Sequence, residues 1–305
     1  MYHGIINIKK EAGYTSHDVV VKLRGILKQK KIGHTGTLDP DAVGVLPVCL
    51  GSGTKLCGML TDEDKEYEAV LRLGIRTDTQ DMSGRILEER EVNVTKEQTV
   101  EAIESFLGSY EQVPPMYSAV KINGQKLYEL ARAGKEVERN ARTVQIREIE
   151  IEKIELPHAW FRVVCSKGTY IRALCDDIGC KLGCGGAMER LTRTRVGRFR
   201  IEDAITLSEA EALRDEDKIT DAIIKVDAMF PQLKVLTIPD ALQKMASNGN
   251  CIPRKKLVQE KVQQADCKYN QDEQVRVYDR AGTFYGIYAY REDGDMFWPV
   301  KMFLQ

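Results

Sequence analysis

Apolar residues alternate with polar ones in one part of the chain and recur at helical spacing in others. Residues 66–73 carry an apolar side chain at every second position, which is typical of a half-buried strand. Residues 4–8, 144–154 and 160–165 are predicted as further strands.

Helices are predicted where apolar side chains recur every three or four positions. Residues 16–30 carry such a stripe, and Ser16 is the expected cap at its start. Residues 95–107 begin with Thr95 and Gln98, a pair spaced as in a capping box. With strands and helices both predicted, and with no internal repeat, the sequence predicts an α+β fold.

Three segments depart from these patterns. Residues 33–53 are rich in Gly, Thr and Pro and are predicted to form mainly loop. Residues 112–143 hold two adjacent prolines, an Asn-Gly turn, six bases and three acids, which predicts a basic hairpin-and-helix insertion outside the core. Residues 236–305 are predicted as a short helix followed by strands. We therefore expect a domain at 1–235, which includes the insertion, and a small β-rich domain at 236–305.

The composition is that of a globular protein, with 43% hydrophobic and 30% charged residues, and excludes a disordered chain. The formal net charge of −1 gives no reason to expect a nucleic acid. The charge is nevertheless uneven: residues 1–60 hold eight bases and four acids, and residues 181–200 hold six bases and one acid. A polyanion responds to charges within a Debye length of about 8–10 Å, so a local RNA- or DNA-binding face is compatible with the sequence. Taken singly, such clusters are usually solvated surface.

No segment approaches the length of a membrane span, and the first residues do not resemble a signal peptide, so we expect a cytoplasmic protein without a membrane partner. The eight cysteines lack the spacing of a disulfide framework and are expected to be reduced. The densest group, Cys175, Cys180 and Cys184, has no CxxC pair and no nearby His. No metal site is therefore predicted.

Asp39 lies in the Gly- and Pro-rich loop, a kind of segment that often carries functional side chains. Taken alone, an Asp in such a loop is more often a turn former, and His34 is more often bonded to backbone than used as a base. Asp41 follows two residues later, which leaves a weaker hypothesis of a paired-carboxylate glycosidase open.

Residues 166–172 have the sequence SKGTYIR and lead into a helical stripe. Free backbone amides at a helix start, together with Arg172, are a natural site for an anion. The sequences GxxxxGK[ST], GxGxxG, HExxH and GxSxG do not occur, so nucleotide hydrolysis is disfavoured and no cofactor is predicted.

Six sequence blocks follow one another in a specific order. They are GHTGTLDPDAVGVLP at 33–47, KEY at 65–67, LGIRTDTQD at 73–81, QVPPMYSAVK at 112–121, SKGTYIR at 166–172 and LTRTRVG at 191–197. Together they resemble the TruB family of bacterial tRNA pseudouridine synthases, whose catalytic-aspartate motif is similar to the first block. The resemblance covers most of residues 1–200 and is loose beyond residue 236.

This resemblance implies a pseudouridine-synthase fold, in which helices flank a central mixed or antiparallel sheet, with a small β-rich C-terminal RNA-binding domain of PUA type. It also implies that uridine 55 in the T loop of tRNA is flipped out and isomerised to pseudouridine, without a cofactor. Asp39 matches the essential carboxylate and Arg172 its ion-pair partner. Tyr67 matches the residue that stacks on the target base, and its phenol is a candidate proton carrier.

The same resemblance assigns further residues to substrate binding. His34 corresponds to the side chain that fills the space left by the flipped base, and Tyr170 and Leu191 correspond to the walls of the uracil pocket. Lys10 is expected either to contact the substrate or to be a solvated lysine. The residues expected to contact RNA phosphates are Lys121, Lys126, Arg132, Arg142, Arg193 and Arg195.

Two alternatives remain beside this hypothesis. One is a non-catalytic chaperone that binds and refolds tRNA. The other is a synthase that depends on a guide RNA, a relative that lacks the basic insertion. Because residues 114–142 are present, we expect a stand-alone enzyme with tRNA as its partner and with no obligate protein partner or guide RNA.

Overall fold

The computed structural model describes residues 1–122, 124–262 and 267–304. In chain order, strands β1 to β19 are Gly4–Lys10, Ile32–His34, Val43–Leu50, Lys65–Leu73, Ile75–Thr77, Ile86–Glu89, Gly108–Gln112, Lys121–Ile122, Gln125–Lys126, Arg142–Glu155, His158–Cys165, Gly186–Val196, Phe199–Arg200, Ile223–Ile224, Lys234–Ile238, Ile252–Pro253, Gln274–Asp279, Phe284–Arg291 and Met296–Met302. Helices α1 to α8 are Ser16–Leu27, Cys57–Asp62, Lys96–Glu104, Leu127–Arg132, Ile171–Lys181, Leu207–Asp215, Asp240–Ser247 and Arg254–Gln259.

A ten-stranded mixed sheet organises the first part of the chain. Its main path runs β14-β1-β3-β12-β4-β11-β10-β7, while β2 pairs with β3 and β13 with β12. The pairing of β3 with β12 is parallel, and the other strand pairs of this sheet are antiparallel. The predicted α+β fold with a central mixed sheet is confirmed.

Helices pack on this sheet through two apolar clusters. One cluster joins Ile103 of α3 and Leu174 of α5 to strand residues such as Phe161. The other joins Leu23 of α1 and Ala210 of α6 to β1 and β3. Each helix has one apolar face to remove from water, which explains why these helices pack against the sheet.

The capping signals in the sequence fix where two helices begin. Thr95 and Gln98 make both bonds of the predicted capping box, and the helix that follows ends at Glu104. At α1 the cap is Thr15, one residue before the predicted Ser16. That helix ends at Leu27 because Lys28 adopts a left-handed conformation with φ 48°, so the predicted extension to residue 30 is wrong.

The prediction of loop across residues 33–53 is partly wrong, because Val43–Leu50 is the central strand β3. This strand is buried along nearly all its length, and a strand covered on both faces shows an apolar run instead of alternation. The basic insertion contains the expected elements, a short hairpin of β8 and β9 followed by α4.

A second sheet of five strands, in the order β15-β17-β18-β19-β16, forms the β-rich C-terminal part. It begins at Lys234, and the exact domain boundary at residue 235 stays a prediction. The two sheets share one apolar cluster, in which Ile287 and Phe303 lie with Ile5 and Val45. Among the described residues, no helix is long and apolar enough to cross a membrane.

Candidate active site

The loop that carries Asp39 connects β2 to β3 and is held by hydrogen bonds to its backbone. Leu38 donates its backbone N–H to Ser16 Oγ at 2.9 Å, and the backbone N–H of Ala42 donates to the carbonyl oxygen of Asp39 at 3.2 Å. Leu38 and Ala42 are buried on either side of the aspartate. The carboxyl group is thus presented from a fixed turn, with 34% of the Asp39 side chain exposed.

Arg172 lies in the first turn of α5 and contacts this carboxyl group. Its Nη2 donates to Asp39 Oδ1 at 3.1 Å, and its Nε lies 2.8 Å from Oδ2. The arginine side chain is only 5% exposed, and it also donates to the carbonyl oxygens of Thr79 and Tyr117, at 3.0 Å each. The guanidinium is therefore held in place by backbone as well as by its carboxylate partner.

A second carboxylate, which was not predicted from the sequence, faces the same arginine. Asp81 Oδ2 lies 3.7 Å from Arg172 Nη1, and the Asp81 side chain is 15% exposed. Its Oδ1 accepts hydrogen bonds from Thr79 and Ser83, which fix the turn. Its position in the sequence could have pointed to it, because Asp81 is the last residue of the family-like block at residues 73–81.

The electrostatic balance at Asp39 has contributions of opposite sign. Burial raises the pKa of Asp39 above its ordinary value, and the negative charge of Asp81 acts in the same direction. Arg172 and Lys10 act to lower that pKa, without overcoming the effect of burial. We conclude that the ion pair limits the rise in the pKa of Asp39 but does not reverse it.

Two basic residues that were predicted to contact RNA or substrate are buried instead. Lys10 is 0% exposed, and its Nζ donates to the carbonyl oxygens of Glu11, Tyr14 and Pro40. Arg193 is 1% exposed, and its guanidinium donates to the carbonyl oxygens of Gly36, Thr37 and Val45. Each cation holds the backbone around Asp39 in this structure, and the contacts of Lys10 with substrate and of Arg193 with RNA stay predictions.

Arg195 lies two residues after Arg193 on β12, but the two side chains face different parts of the protein. Two residues apart on a regular strand share a face, but a register shift lies between Arg193 and Arg195. Arg193 is consequently opposite Tyr67, while Arg195 is opposite Glu66 and pairs with its carboxylate at 3.1 Å. The Arg195 side chain is 25% exposed.

Tyr67 and Leu191, which were matched to the target base and the uracil pocket, lie in the apolar cluster that also holds α3 and α5. Tyr67 and Leu191 are buried in it together with Leu38, and burial raises the pKa of the Tyr67 phenol. Tyr170 caps α5, and its backbone N–H and carbonyl are both bonded to the Gln112 side chain, at 2.8 and 3.0 Å.

His34 ends β2, and its Nδ1 accepts a hydrogen bond from the backbone N–H of Gly36 at 3.3 Å. Burial and the neighbouring Arg193 lower the pKa of His34, which favours a neutral ring. A neutral, flat side chain at this position is suited to stacking.

The basic residues of the insertion are arranged differently from those around Asp39. Lys121, Arg132 and Arg142 are exposed, and Lys126 is half-buried. Lys126 Nζ and the Arg132 guanidinium lie 5.3 and 5.5 Å from the centre of the Tyr128 ring. Aromatic and cationic groups side by side are suited to nucleic acid. Over the residues that the structure describes, no cluster of His, Cys, Asp or Glu is arranged to hold a metal ion.

Comparison with known proteins identifies the family. The model for the TruB family pseudouridylate synthase N-terminal domain matches residues 24–171, and that for the tRNA pseudouridylate synthase B C-terminal domain matches residues 172–230. The tRNA pseudouridine synthase B of Lachnoclostridium phytofermentans is 51% identical over 310 residues, which cover 99% of this chain and 100% of that protein. The synthase of the same name from Alkaliphilus oremlandii is 48% identical over 276 residues, covering 90% and 91%.

A solved structure agrees in fold. The crystal structure of a Cbf5-Nop10-Gar1 complex contains a chain that superposes with a TM-score of 0.69 at 28% identity, over 99% of this chain and 85% of that one. The sequence matches include the segments that bring Asp39, Tyr67 and Arg172 together. Since identity to the bacterial relatives is high over nearly the whole length, the chain belongs to the TruB family of pseudouridylate synthases, which are isomerases.

Proposed function

We propose that this protein converts uridine 55 in the T loop of tRNA to pseudouridine, with Asp39 as its essential carboxylate. The observation that carries the proposal is the contact of a part-exposed Asp39 with the buried guanidinium of Arg172. The names of the bacterial relatives support tRNA as the substrate. The position within the T loop rests on the family resemblance of the sequence.

The reaction detaches uracil from C1′ of the ribose, turns the base, and joins its C5 to C1′. The proton on C5 is lost and N1 of the base gains one, so the overall change is an isomerisation without an oxidant or reductant. Asp39 must be ionised, whether it attacks the ribose, attacks the base or removes a ribose proton. Arg172 supports this ionised form, since it is the positive charge nearest to the carboxylate.

The target base has to leave the stacked T loop before it can reach Asp39, at a cost of a few kcal/mol. The flat, neutral ring of His34 is suited to fill the vacated space in the loop. Tyr67 offers a ring for stacking, and because burial raises the pKa of its phenol, this group keeps its proton at neutral pH and can hydrogen-bond to the base.

The remaining contacts to tRNA are assigned to surfaces outside the pocket. The exposed bases of the insertion would close on the phosphates of the T arm, and the C-terminal sheet would act as the PUA-type RNA-binding domain. Arg195 would add a further phosphate contact, since its side chain is 25% exposed. With these surfaces on one chain, the enzyme acts alone, without a guide RNA or a protein partner.

The test is tritium release from an unmodified tRNA transcript labelled at uridine C5, with no added nucleotide or metal. We expect release by the wild type and none by Asp39→Asn, and sequencing of the product should locate pseudouridine at position 55 alone. Binding of tRNA without release by either protein would instead identify a chaperone. Release at another uridine would contradict the assigned position.

A further inference from the structure

Asp176 joins the helix that carries Arg172 to the segment that carries Asp81. It lies four residues after Arg172 on α5, so both side chains emerge from one side of the helix. Asp176 Oδ1 lies 3.0 Å from Arg76 Nε, and Oδ2 accepts a hydrogen bond from Gln80 Nε2 at 3.1 Å. The Asp176 side chain is 9% exposed.

The backbone nearby is shaped to admit this ion pair. A Cβ atom added at Gly185 would lie 2.7 Å from Cγ of Arg76. Gly185 also has φ +80°, a conformation that other residues rarely adopt. The space that this glycine leaves open is occupied by the methylene groups of Arg76, which lets the guanidinium reach Asp176.

Other bonds hold the segment to the sheet, and β12 in turn packs on α5, where the backbone N–H of Gly185 donates to the Gly179 carbonyl at 2.9 Å. The backbone N–H of Met188 donates to the Gln80 carbonyl, and the N–H of Met82 donates to the Met188 carbonyl, both at 3.0 Å. These bonds tie residues 80–82 to β12. Among the described residues, the side-chain bonds that tie the segment to α5 come from Arg172 itself and from Asp176.

We propose that Asp176 is a positioning residue for this active site: through Arg76 and Gln80 it sets the distance between α5 and the segment 75–81, so that Arg172 meets Asp39 and Asp81 at once. The proposal rests on the proposed function of Asp39. Asp176 itself acts through Arg172 and does not contact the reacting atoms.

The direction in which the pKa of Asp39 moves distinguishes a positioning role of Asp176 from a purely electrostatic one. The charged or titratable groups that act on Asp39 are Arg172 from α5, Asp81 from the segment, Lys10 from β1 and Tyr67 from β4. Removing one negative charge at residue 176 would by itself lower the pKa of Asp39. Loosening Arg172 would weaken its pairing with Asp39 and raise that pKa.

The experiment compares Asp176→Asn with Asp177→Asn, which removes a carboxyl group from the next position on the helix. Burial raises the pKa of Asp177 to about 6, so this control removes a full negative charge only above that pH. Carbon-13 NMR of the Asp39 carboxyl, assigned by its loss in Asp39→Asn, gives the titration directly. We expect Asp176→Asn to move the midpoint up by about one pH unit, and Asp177→Asn to leave it in place or lower it. In tritium release, Asp176→Asn should lower kcat by about 10- to 100-fold. The KM for tRNA should change less than about twofold, because the substitution leaves the RNA-binding surfaces intact.

A second variant covers the case in which Asp176→Asn does not fold. Gln80→Met removes a neutral hydrogen-bond donor to Asp176 without any change in charge, and it should reproduce the upward shift in the midpoint. In the double variant with Asp176→Asn, the fold-loss in kcat should be smaller than the product of the fold-losses in the two single variants. A midpoint that stays or falls in both variants, or equal changes in kcat and KM, would overturn the proposal.

Failure of the proposed function gives a different result. A wild type that releases no tritium would refute the isomerase proposal, while the NMR midpoint would still decide the role of Asp176. Normal release by Asp176→Asn, with the wild type active and Asp39→Asn inactive, would refute the positioning role alone.

Discussion

The bases around Asp39 and the bases of the insertion are the same residue types in opposite surroundings. Lys10, Arg172 and Arg193 are buried and donate to backbone carbonyls or carboxylates of the protein. Lys121 and Arg132 are exposed, and in the described part of the chain no ion pair joins them to a carboxylate. Burial therefore separates cations that hold the fold from cations that are free to meet a polyanion.

This difference changes how a basic cluster in a sequence should be interpreted. The count of bases at residues 181–200 placed Arg193 with the RNA contacts, although it is 1% exposed. A buried cation must satisfy its donors inside the protein, because leaving one unpaired costs several kcal/mol. Such a residue is expected to affect folding or catalysis and to have little direct effect on the salt dependence of RNA binding.

The largest effect is expected at the buried set. Arg172→Ala should lower the single-turnover rate by about 100- to 1,000-fold, because it removes a fixed positive charge from the reacting carboxylate. Affinity for tRNA should change less than about threefold, since the side chain is 5% exposed. Quenched-flow tritium release and filter binding measure the two quantities. Arg90→Ala, at an exposed pair with Glu88, is the matched control. Equal losses in rate and affinity would contradict the assignment.

The pH dependence sharpens the same test. Activity requires ionised Asp39, and its pKa is raised, so the acid limb of the rate profile should lie above the range of an ordinary aspartate. Arg172 acts to lower that pKa, so Arg172→Ala should move the limb to still higher pH. If the acid limb of the rate profile lies at the same pH in the wild type and in Arg172→Ala, ionisation of Asp39 does not determine that limb.

A smaller effect, on stability, is expected at Lys10. Lys10→Met leaves three carbonyl oxygens without their donor, and we expect it to lower the free energy of unfolding by about 2 kcal/mol. Lys9→Met, at the exposed neighbour on β1, should stay within about 0.5 kcal/mol of the wild type. Urea unfolding followed by circular dichroism measures both.

Lys10 also predicts a pH trend with a defined sign. Burial lowers the pKa of Lys10 from 10.5 to about 8, so between these values the unfolded chain binds more protons than the folded one. The contribution of Lys10 to stability therefore rises with pH across this window. The difference in unfolding free energy between the wild type and Lys10→Met should grow from pH 8 to pH 10. A constant difference would mean that Lys10 keeps an ordinary pKa.

The smallest effect per residue is expected in the insertion. Replacing Lys121, Lys126 and Arg132 by Gln should reduce the slope of log K against log salt by about 0.7–0.9 for each phosphate that the protein no longer neutralises. The control is a triple change of equal charge at the exposed Lys96, Lys153 and Lys218. Fluorescence anisotropy of labelled tRNA across a salt series measures both slopes. If the control lowers the slope as much as the insertion variant, the insertion has no special role in binding.

Local signals in the sequence were sufficient where a few neighbouring residues determine the structure. The alternation at residues 66–73 predicted β4, and the pair of Thr95 and Gln98 predicted the start of α3. Strand β3 was not predicted, because its surroundings on both faces come from distant parts of the chain. Those surroundings cannot be seen in the periodicity of one segment.

The site was predictable only in part, because its residues also come from distant parts of the chain. From its residues alone, the segment around Arg172 indicated an anion site, but its partner Asp39 is 133 positions away, and the family resemblance supplied the pairing. The opposite orientations of Arg193 and Arg195 depend on a bulge in β12 that no residue type announces.

The apolar cluster shared by the two sheets has a consequence for synthesis of the protein. Ile5, in the first strand, is buried in the same cluster as Phe303, near the last residue. Lys55 also donates to the carbonyl oxygen of Met302 at 2.7 Å. A chain that emerges from the ribosome in order cannot complete this core until Phe303 has left the ribosome. Truncation before Phe303 should therefore leave the first strand with exposed apolar surface.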